Sequence, residues 1–300
     1  MKEYQEIIKE ICEYLNIKFT LLSKDFLIKL EKNNQIEYIF GYKFPLNNHG
    51  IGLVLDDKYA TYEILNNLNY KVCEIVPIFN NYNTSDLINY LTKHQEIIIK
   101  SNNGTCGSEV FKVNNITDLI NKTNLLLTKN QPVCMSPYYN IKNEYRVIVL
   151  NKEIKLLYGK KRPIITGDGI KTIKELLLDF NYNYYSKESN LKELDLDLNK
   201  VLGKDKIKEI GFKFNLSKGS NIFFLENQEL KEKLEMMALN IATKLNINFA
   251  SIDIVELNNN QLLVLEINSG VMMDNFIKLN KDGRNIAKEI YLEAIKTMFN

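Results

Sequence analysis

The sequence predicts an α+β (α/β) chain, and three features of it carry that prediction. Strand-like apolar runs and helix-like periodic runs interleave along the whole length. Polar clusters of Asn, Gly, Ser and Asp separate the two kinds of run. A hydrophobic share of 45% with 25% charged residues is ordinary for a soluble globular chain, and 300 residues leave room for two or three subdomains with a large core.

In order, residues 1–15 alternate acidic and apolar positions and read as an amphipathic helix, not as a signal peptide. Short strands follow, including 26–30 and 36–40. Apolar spacing from Lys58 to Leu68 predicts a helix with Asp56 and Asp57 at its favourable end. Residues 72–76 read as a strand, and Thr84-Ser85-Asp86 as the cap of a helix running to about Lys93. A strand over 96–100 leads into the polar loop 101–108, then another strand and a helix over 116–127. Residues 132–135 form a short strand, and 144–150 pairs with 153–161 across Asn151-Lys152. Thr166-Gly167-Asp168-Gly169 is a turn and 173–180 a helix. The highly charged stretch 182–210 reads as a surface excursion with some helix. A strong amphipathic helix over 228–245 precedes two apolar strands, and 286–299 is a closing helix.

A net charge of +2 gives no footprint for nucleic acid or a membrane surface. The four cysteines, Cys12, Cys73, Cys106 and Cys134, form no CxxC pair and meet no His cluster, which argues against zinc and against a disulfide framework. No apolar run approaches the roughly 20 residues of a membrane span. The expectation is a cytoplasmic protein.

Chemistry concentrates first in the late strand pair. Asp253 lies on Ser251–Glu256, and Glu266 and Asn268 lie two apart on Leu262–Asn268, so the latter two share a face and a hairpin brings Asp253 beside them. Three hard oxygen donors on an apolar face suit Mg²⁺. The hairpin alone is equally compatible with acidic residues facing solvent. Lys100 ends the apolar run Ile97-Ile98-Ile99 and is followed by a loop with Gly104 and Gly107, where backbone N–H groups could approach a phosphate chain. It is no Walker loop; a solvated lysine before an ordinary loop is the plainer reading. Lys58 before a helix and Lys160 near a strand end are each compatible with a phosphate contact or with solvation. Glu144 and Arg146 share a face, as an ion pair or as contacts to ribose and substrate.

In this order, these motifs resemble the ATP-grasp superfamily. The resemblance runs from about Asp56 to the C-terminus. It is most similar to the cyanophycin synthetase and bifunctional glutathione synthetase branch, through Asp57-Lys58 with Thr61, Lys100 with Asn102-Asn103-Gly104-Thr105, and Glu144-Tyr145-Arg146-Val147. It continues in Thr166-Gly167-Asp168-Gly169 with Thr172-Ile173, in Asn215-Leu216-Ser217-Lys218-Gly219, and in Asp253 with Glu266-Ile267-Asn268.

The resemblance implies an ATP-grasp fold, with two α+β subdomains clasping a nucleotide. It implies a small N-terminal α/β region (1–57) on the substrate side, a lid subdomain with its preceding helix (58–140), and a large subdomain with the metal site (141–300). Lys58 and Lys100 would contact ATP phosphates, with the loop carrying Asn103, Gly104, Thr105 and Gly107 folding over them. Met135, Ser136 and Tyr138 would meet adenine, Glu144 the ribose, and Asn215 the nucleotide side. Asp253, Glu266 and Asn268 would hold two Mg²⁺ ions, with Mn²⁺ able to substitute. Lys160 would face the transferred phosphate; Arg146 and the Ser217–Gly219 turn would hold substrate.

The implied reaction is ATP-dependent amide formation between a carboxylate of an amino acid or short peptide and an amine, through an acyl phosphate; the oligomeric state is left open, with a homodimer one compatible assembly because dimers are common among relatives. Macrocyclisation of a ribosomal peptide through an ester or amide, and a nucleotide-binding scaffold without turnover, are the competing readings. Two departures stand out. The branch has an arginine where this chain has Gly211, with Lys213 nearby, and a proline turn with a histidine where this chain has Ser269–Met273.

Overall fold

The computed structural model describes residues 2–300 apart from 24–25, 105–106, 108, 130–131, 193 and 195, and of Tyr182 the backbone alone. It divides into two compact units, one of residues 1–77, 139–159 and 224–300, the other of 78–138 and 160–223.

The first unit is built on a sheet whose strands run Glu153–Lys161, Ile141–Leu150, Phe249–Leu257, Leu262–Asn268 in that order. Phe249–Leu257 is antiparallel to both neighbours, with Asp253 opposite Arg146 on one side and opposite Glu266 on the other. Eight of its nine residues are buried, so its backbone and side chains are fixed from both faces. The helix Gln228–Lys244 buries Leu234, Ala238, Ile241 and Ala242, positions three and four apart, as an amphipathic helix must. Asn151 and Lys152 adopt positive φ (54° and 63°), the backbone that a two-residue turn between twisted strands demands. Residues 72–76 are not the expected strand. Val72 makes only an isolated parallel bridge to Val264, and the strand Val76–Ile78 pairs in a different sheet, beside Val133–Pro137.

The N-terminal part of this unit is the helix Glu3–Tyr14, a sheet of Lys18–Leu22, Leu27–Lys32 and Gln35–Phe40, and the helix His49–Asp56, which Gly50 and Gly52 hide from a propensity reading. Asn48 caps that helix, and Asp57 caps Lys58–Asn67 by accepting from the Ala60 N–H at 2.8 Å. Arg284 of the final helix, Gly283–Met298, donates to Glu3 and Glu10 of the first. A further helix, Asp274–Leu279, lies between the acidic hairpin and that final helix.

The second unit has a sheet in which Ile97–Ser101 lies between Val133–Pro137 and Val110–Val113, antiparallel to both. The helix Thr84–His94 is capped not by its own Thr84 but by Asn83, whose side chain accepts from the Ser85 N–H at 3.0 Å. Thr172 and Glu175 close a capping box on Ile173–Phe180. The charged stretch after it is more than a surface excursion. Tyr185, Leu191 and Ile210 bury themselves against Ile165, Ile173 and Leu177 and form a core of their own.

Candidate active site

The strand register assembles a cluster of candidate residues within the first unit. Residues directly opposed on adjacent antiparallel strands share a face, so Arg146, Asp253 and Glu266 form one row across three strands. Arg146 makes a two-pronged bond to Asp253, Nε to Oδ1 at 2.8 Å and Nη2 to Oδ2 at 2.6 Å. Burial works to lower the guanidinium's pKa. Asp253, helped by Tyr158 and Glu144, outweighs it and holds Arg146 well above the ordinary arginine value. Asn268 donates Nδ2 to Glu266 Oε1 at 3.1 Å, so the two residues that share a strand face also touch. A bulge between Asp253 and Ile254 breaks the ladder beside this row. Glu144 is buried two residues before Arg146 on the same face.

Lys58 opens its helix and, with Glu266, Thr61 and Tyr62, lines a recess against Val264–Ile267. Residues from the Lys58 helix and from the acidic strand thus meet in one place.

Within the second unit, Lys100 is 8% exposed and pairs in register with Cys134 and Val110. Met135 and Ser136, both buried, lie opposite Ile99 and Ile98. Tyr138 spends its backbone N–H on the Glu96 carbonyl at 2.9 Å, while its ring receives the Lys112 ammonium at 3.7 Å and the edge of Phe212. Lys160, at the end of its strand, is only 4% exposed. Asn103 is exposed and Gly104 donates to the Ser101 carbonyl; Thr105 lies outside the described residues.

Gly107 is a junction within the second unit. Its φ of +62° disfavours any side chain, and a Cβ there would fall 2.3 Å from Asn215 Oδ1. Its carbonyl accepts from Lys213 Nζ at 3.3 Å and Lys218 Nζ at 3.1 Å. The glycine loop and the Asn-Leu-Ser-Lys-Gly motif, which are about a hundred residues apart, therefore touch through Gly107, Lys213, Asn215 and Lys218.

Sequence reasoning missed a further buried carboxylate. Glu256, 5% exposed, accepts from Tyr145 Oη at 2.6 Å, Lys142 Nζ at 2.9 Å and Asn143 Nδ2 at 3.0 Å. It projects to the sheet face opposite Asp253. Burial pushes its carboxyl up, and these three partners outweigh the push and hold it below 4.5. Glutamate on a mostly apolar strand was the available signal; its partners were not.

The donor set suits Mg²⁺. Two carboxylates and an amide oxygen are hard oxygen ligands, and a carboxylate has about four acceptor positions, so the bond to Arg146 does not exhaust Asp253. Asp253 and Glu266 stand side by side with the single positive charge of Arg146 bonded to one of them, an arrangement that favours a further cation. Among the described residues no group of three or more His, Cys, Asp or Glu gathers as a metal site.

Known proteins agree with this architecture. Residues 170–295 match the family model of the RimK-like ATP-grasp domain. A bifunctional glutathione synthetase from Pasteurella multocida superposes with a TM-score of 0.56 at 17% identity, over 98% of this chain and 44% of that one. D-alanine–D-alanine ligase from Bacillus anthracis gives 0.53 at 13% identity, over 82% and 70%. A RiPP-associated ATP-grasp ligase from Chryseobacterium gregarium, in complex with ADP and a leader and core peptide, gives 0.53 at 13%, over 98% and 92%. The chain thus spans less than half the length of the glutathione synthetase. No curated protein matches the sequence. The chain thus has the ATP-grasp fold, and within it residues 170–295 are similar to the RimK-like ATP-grasp domain. No helix among the described residues is long and apolar enough to cross a membrane.

Proposed function

We propose that this chain is an ATP-dependent carboxylate–amine ligase that joins an amino acid or short-peptide carboxylate to an amine with release of ADP and phosphate. The observation that carries the reading is the row Arg146–Asp253–Glu266, with Asn268 on Glu266. Such a row places two carboxylates at fixed spacing on a rigid sheet, where hard-cation binding explains an otherwise costly juxtaposition.

Asp253, Glu266 and Asn268 would hold Mg²⁺, which when bound neutralises phosphate charge and orients the transferred group. Arg146 fixes Asp253 in one rotamer through its two-pronged bond. Lys58, Lys100 and Lys160 are the cations that would offset charge on phosphate oxygens during transfer to the substrate carboxylate. Glu144 would meet the ribose, and Met135, Ser136 and Tyr138 the adenine. Asn103, Gly104, Thr105, Gly107 and Asn215 would enclose the phosphates and keep water from the acyl phosphate. Lys213 and Lys218, brought together on Gly107, supply positive charge that Gly211 does not. We place the protein in the cytoplasm, acting on small amino acid or peptide substrates.

A second reading rests on one comparison. The RiPP-associated ligase, whose complex holds a leader and core peptide, matches over nearly the full length of both chains, which favours a peptide carboxylate as the activated group. Incubation with ATP, Mg²⁺ and pools of amino acids, amines and peptides, read by ADP release and mass spectrometry, tests both. Amide-bearing products with ADP support ligation, and a mass loss of one water within a peptide supports macrocyclisation. Tight nucleotide binding without any product would leave a scaffold and overturn the ligase.

A further inference from the structure

Within the first unit, the end of the acidic strand is tied to the segment that carries Lys58, through side chains the ligase reading leaves without a role. Ser269 follows Asn268 directly and is 5% exposed. Its Oγ donates to Asp56 Oδ1 at 2.8 Å. Asp56 ends the helix His49–Asp56, two positions before Lys58, and its Oδ2 accepts from Lys43 Nζ. Lys43 is itself fixed by paired backbone bonds with Phe40 at 3.2 and 3.0 Å.

The two neighbouring acids at this junction do different work. Asp57 caps the helix Lys58–Asn67, where an acid complements the N-terminal dipole. Asp56 stands at the C-terminal end of the preceding helix, where the dipole opposes a carboxylate. Helix stability therefore does not account for an acid at this position. Its two side-chain partners, Ser269 and Lys43, do.

No proline stiffens Ser269–Met273, so contacts with other segments hold that stretch. Val271 N–H donates to the Tyr42 carbonyl at 3.1 Å, and the Val271 carbonyl accepts from Tyr291 Oη at 2.9 Å. Both bonds use the backbone of Val271, so they do not depend on its side chain. The bond from Ser269 to Asp56 needs both side chains, and a carboxylate is the stronger kind of acceptor. Lys58 and Glu266 line one recess beside it. Thr61 Oγ1 donates to the Val54 carbonyl at 2.7 Å, which couples the Lys58 helix to the helix that Asp56 ends.

We infer that Asp56 and Ser269 form a clamp that sets the distance between Lys58 and the Glu266–Asn268 pair, and that they are positioning residues for the site. The inference rests on the ligase reading for its purpose: Lys58 and the metal ligands must grip the same phosphates, and phosphoryl transfer tolerates little error in that spacing. It gives residues 1–57 a share in the site through Lys43 and Asp56, with no contact to substrate required.

The test is calorimetric ADP binding with Mg²⁺ in Ser269→Ala, Asp56→Ala, the double variant and Asp56→Asn, beside amide hydrogen exchange at Ala60, Thr61, Gly270 and Val271. Each alanine variant should weaken ADP about tenfold, and the double variant no further, because one interaction is lost once. Asp56→Asn keeps an acceptor for Ser269 and should stay within about threefold of wild type. Exchange should quicken on both sides of the bond when either partner is removed. Wild-type affinity in Ser269→Ala, as a merely structural bond would give, overturns the clamp. So do additive losses in the double variant, a loss in Asp56→Asn as large as in Asp56→Ala, or quickened exchange confined to the mutated side. If Asp56→Ala does not fold, Ser269→Ala against Asp56→Asn decides. A wild-type protein that binds no ADP removes the ligase reading, and the exchange pattern alone then decides the clamp.

Discussion

Two buried carboxylates, Asp253 and Glu256, lie three residues apart on one strand and face opposite sides of the same sheet. Glu256 is surrounded by donors: a tyrosine hydroxyl, an amide and an ammonium meet it, and no second acid stands opposite. Asp253 faces an arginine on one side and another carboxylate, Glu266, on the other. Burial of an acid is thus no evidence of function by itself. A buried acid whose neighbours satisfy it needs no ligand to explain it, while one set beside a like charge is where the proposed cation would offset repulsion.

The largest expected effect separates the two acids. Asp253→Asn and Glu266→Gln should each lower Mg²⁺-dependent ADP release on the order of 10²- to 10³-fold with the fold intact by circular dichroism. Unchanged release in either would remove the metal assignment.

Next comes Arg146→Met, which strands Asp253 as a buried charge. A loss of about 3–5 kcal/mol in denaturant unfolding is expected, and the double variant Arg146→Met/Asp253→Leu should recover most of it. A loss below 1 kcal/mol, by the same measure, would mean that Arg146 does not hold Asp253.

Gly107→Ala forces a side chain into positive φ and against Asn215. It should weaken ADP binding about tenfold by calorimetry. Wild-type affinity would show that contact to be dispensable.

The smallest effect belongs to Glu256→Gln, about 1–2 kcal/mol at neutral pH with ADP release unchanged. Because its partners hold the folded carboxyl below 4.5, its contribution is complete above that value and is lost as pH falls through the folded value. The stability gap between wild type and variant should therefore close in acid. A gap that stays constant to pH 2 would contradict the assignment.

The same comparison explains what the sequence let one read. The shared face of Glu266 and Asn268 follows from a period of two, and Asp253 joins them because a short hairpin fixes its register. The partner of Arg146 was not legible. Asp253 lies 107 positions away, and no local pattern states which strand becomes its neighbour, so Glu144 was the nearer reading. The contact of Gly107 with Asn215 was hidden for the same reason. Apolar periodicity gave most helices, but Gly50 and Gly52 masked His49–Asp56. The charged stretch 182–210 concealed a core because its leucines meet Ile165, Ile173 and Leu177 from outside the stretch.

One measurement bears most directly on the contrast: calorimetric binding of ADP with and without Mg²⁺ to wild type, Asp253→Asn and Glu256→Gln. The expected result is strong Mg²⁺ enhancement in wild type and Glu256→Gln and its loss in Asp253→Asn. Equal Mg²⁺ enhancement in all three proteins would contradict a metal role for the Asp253 row.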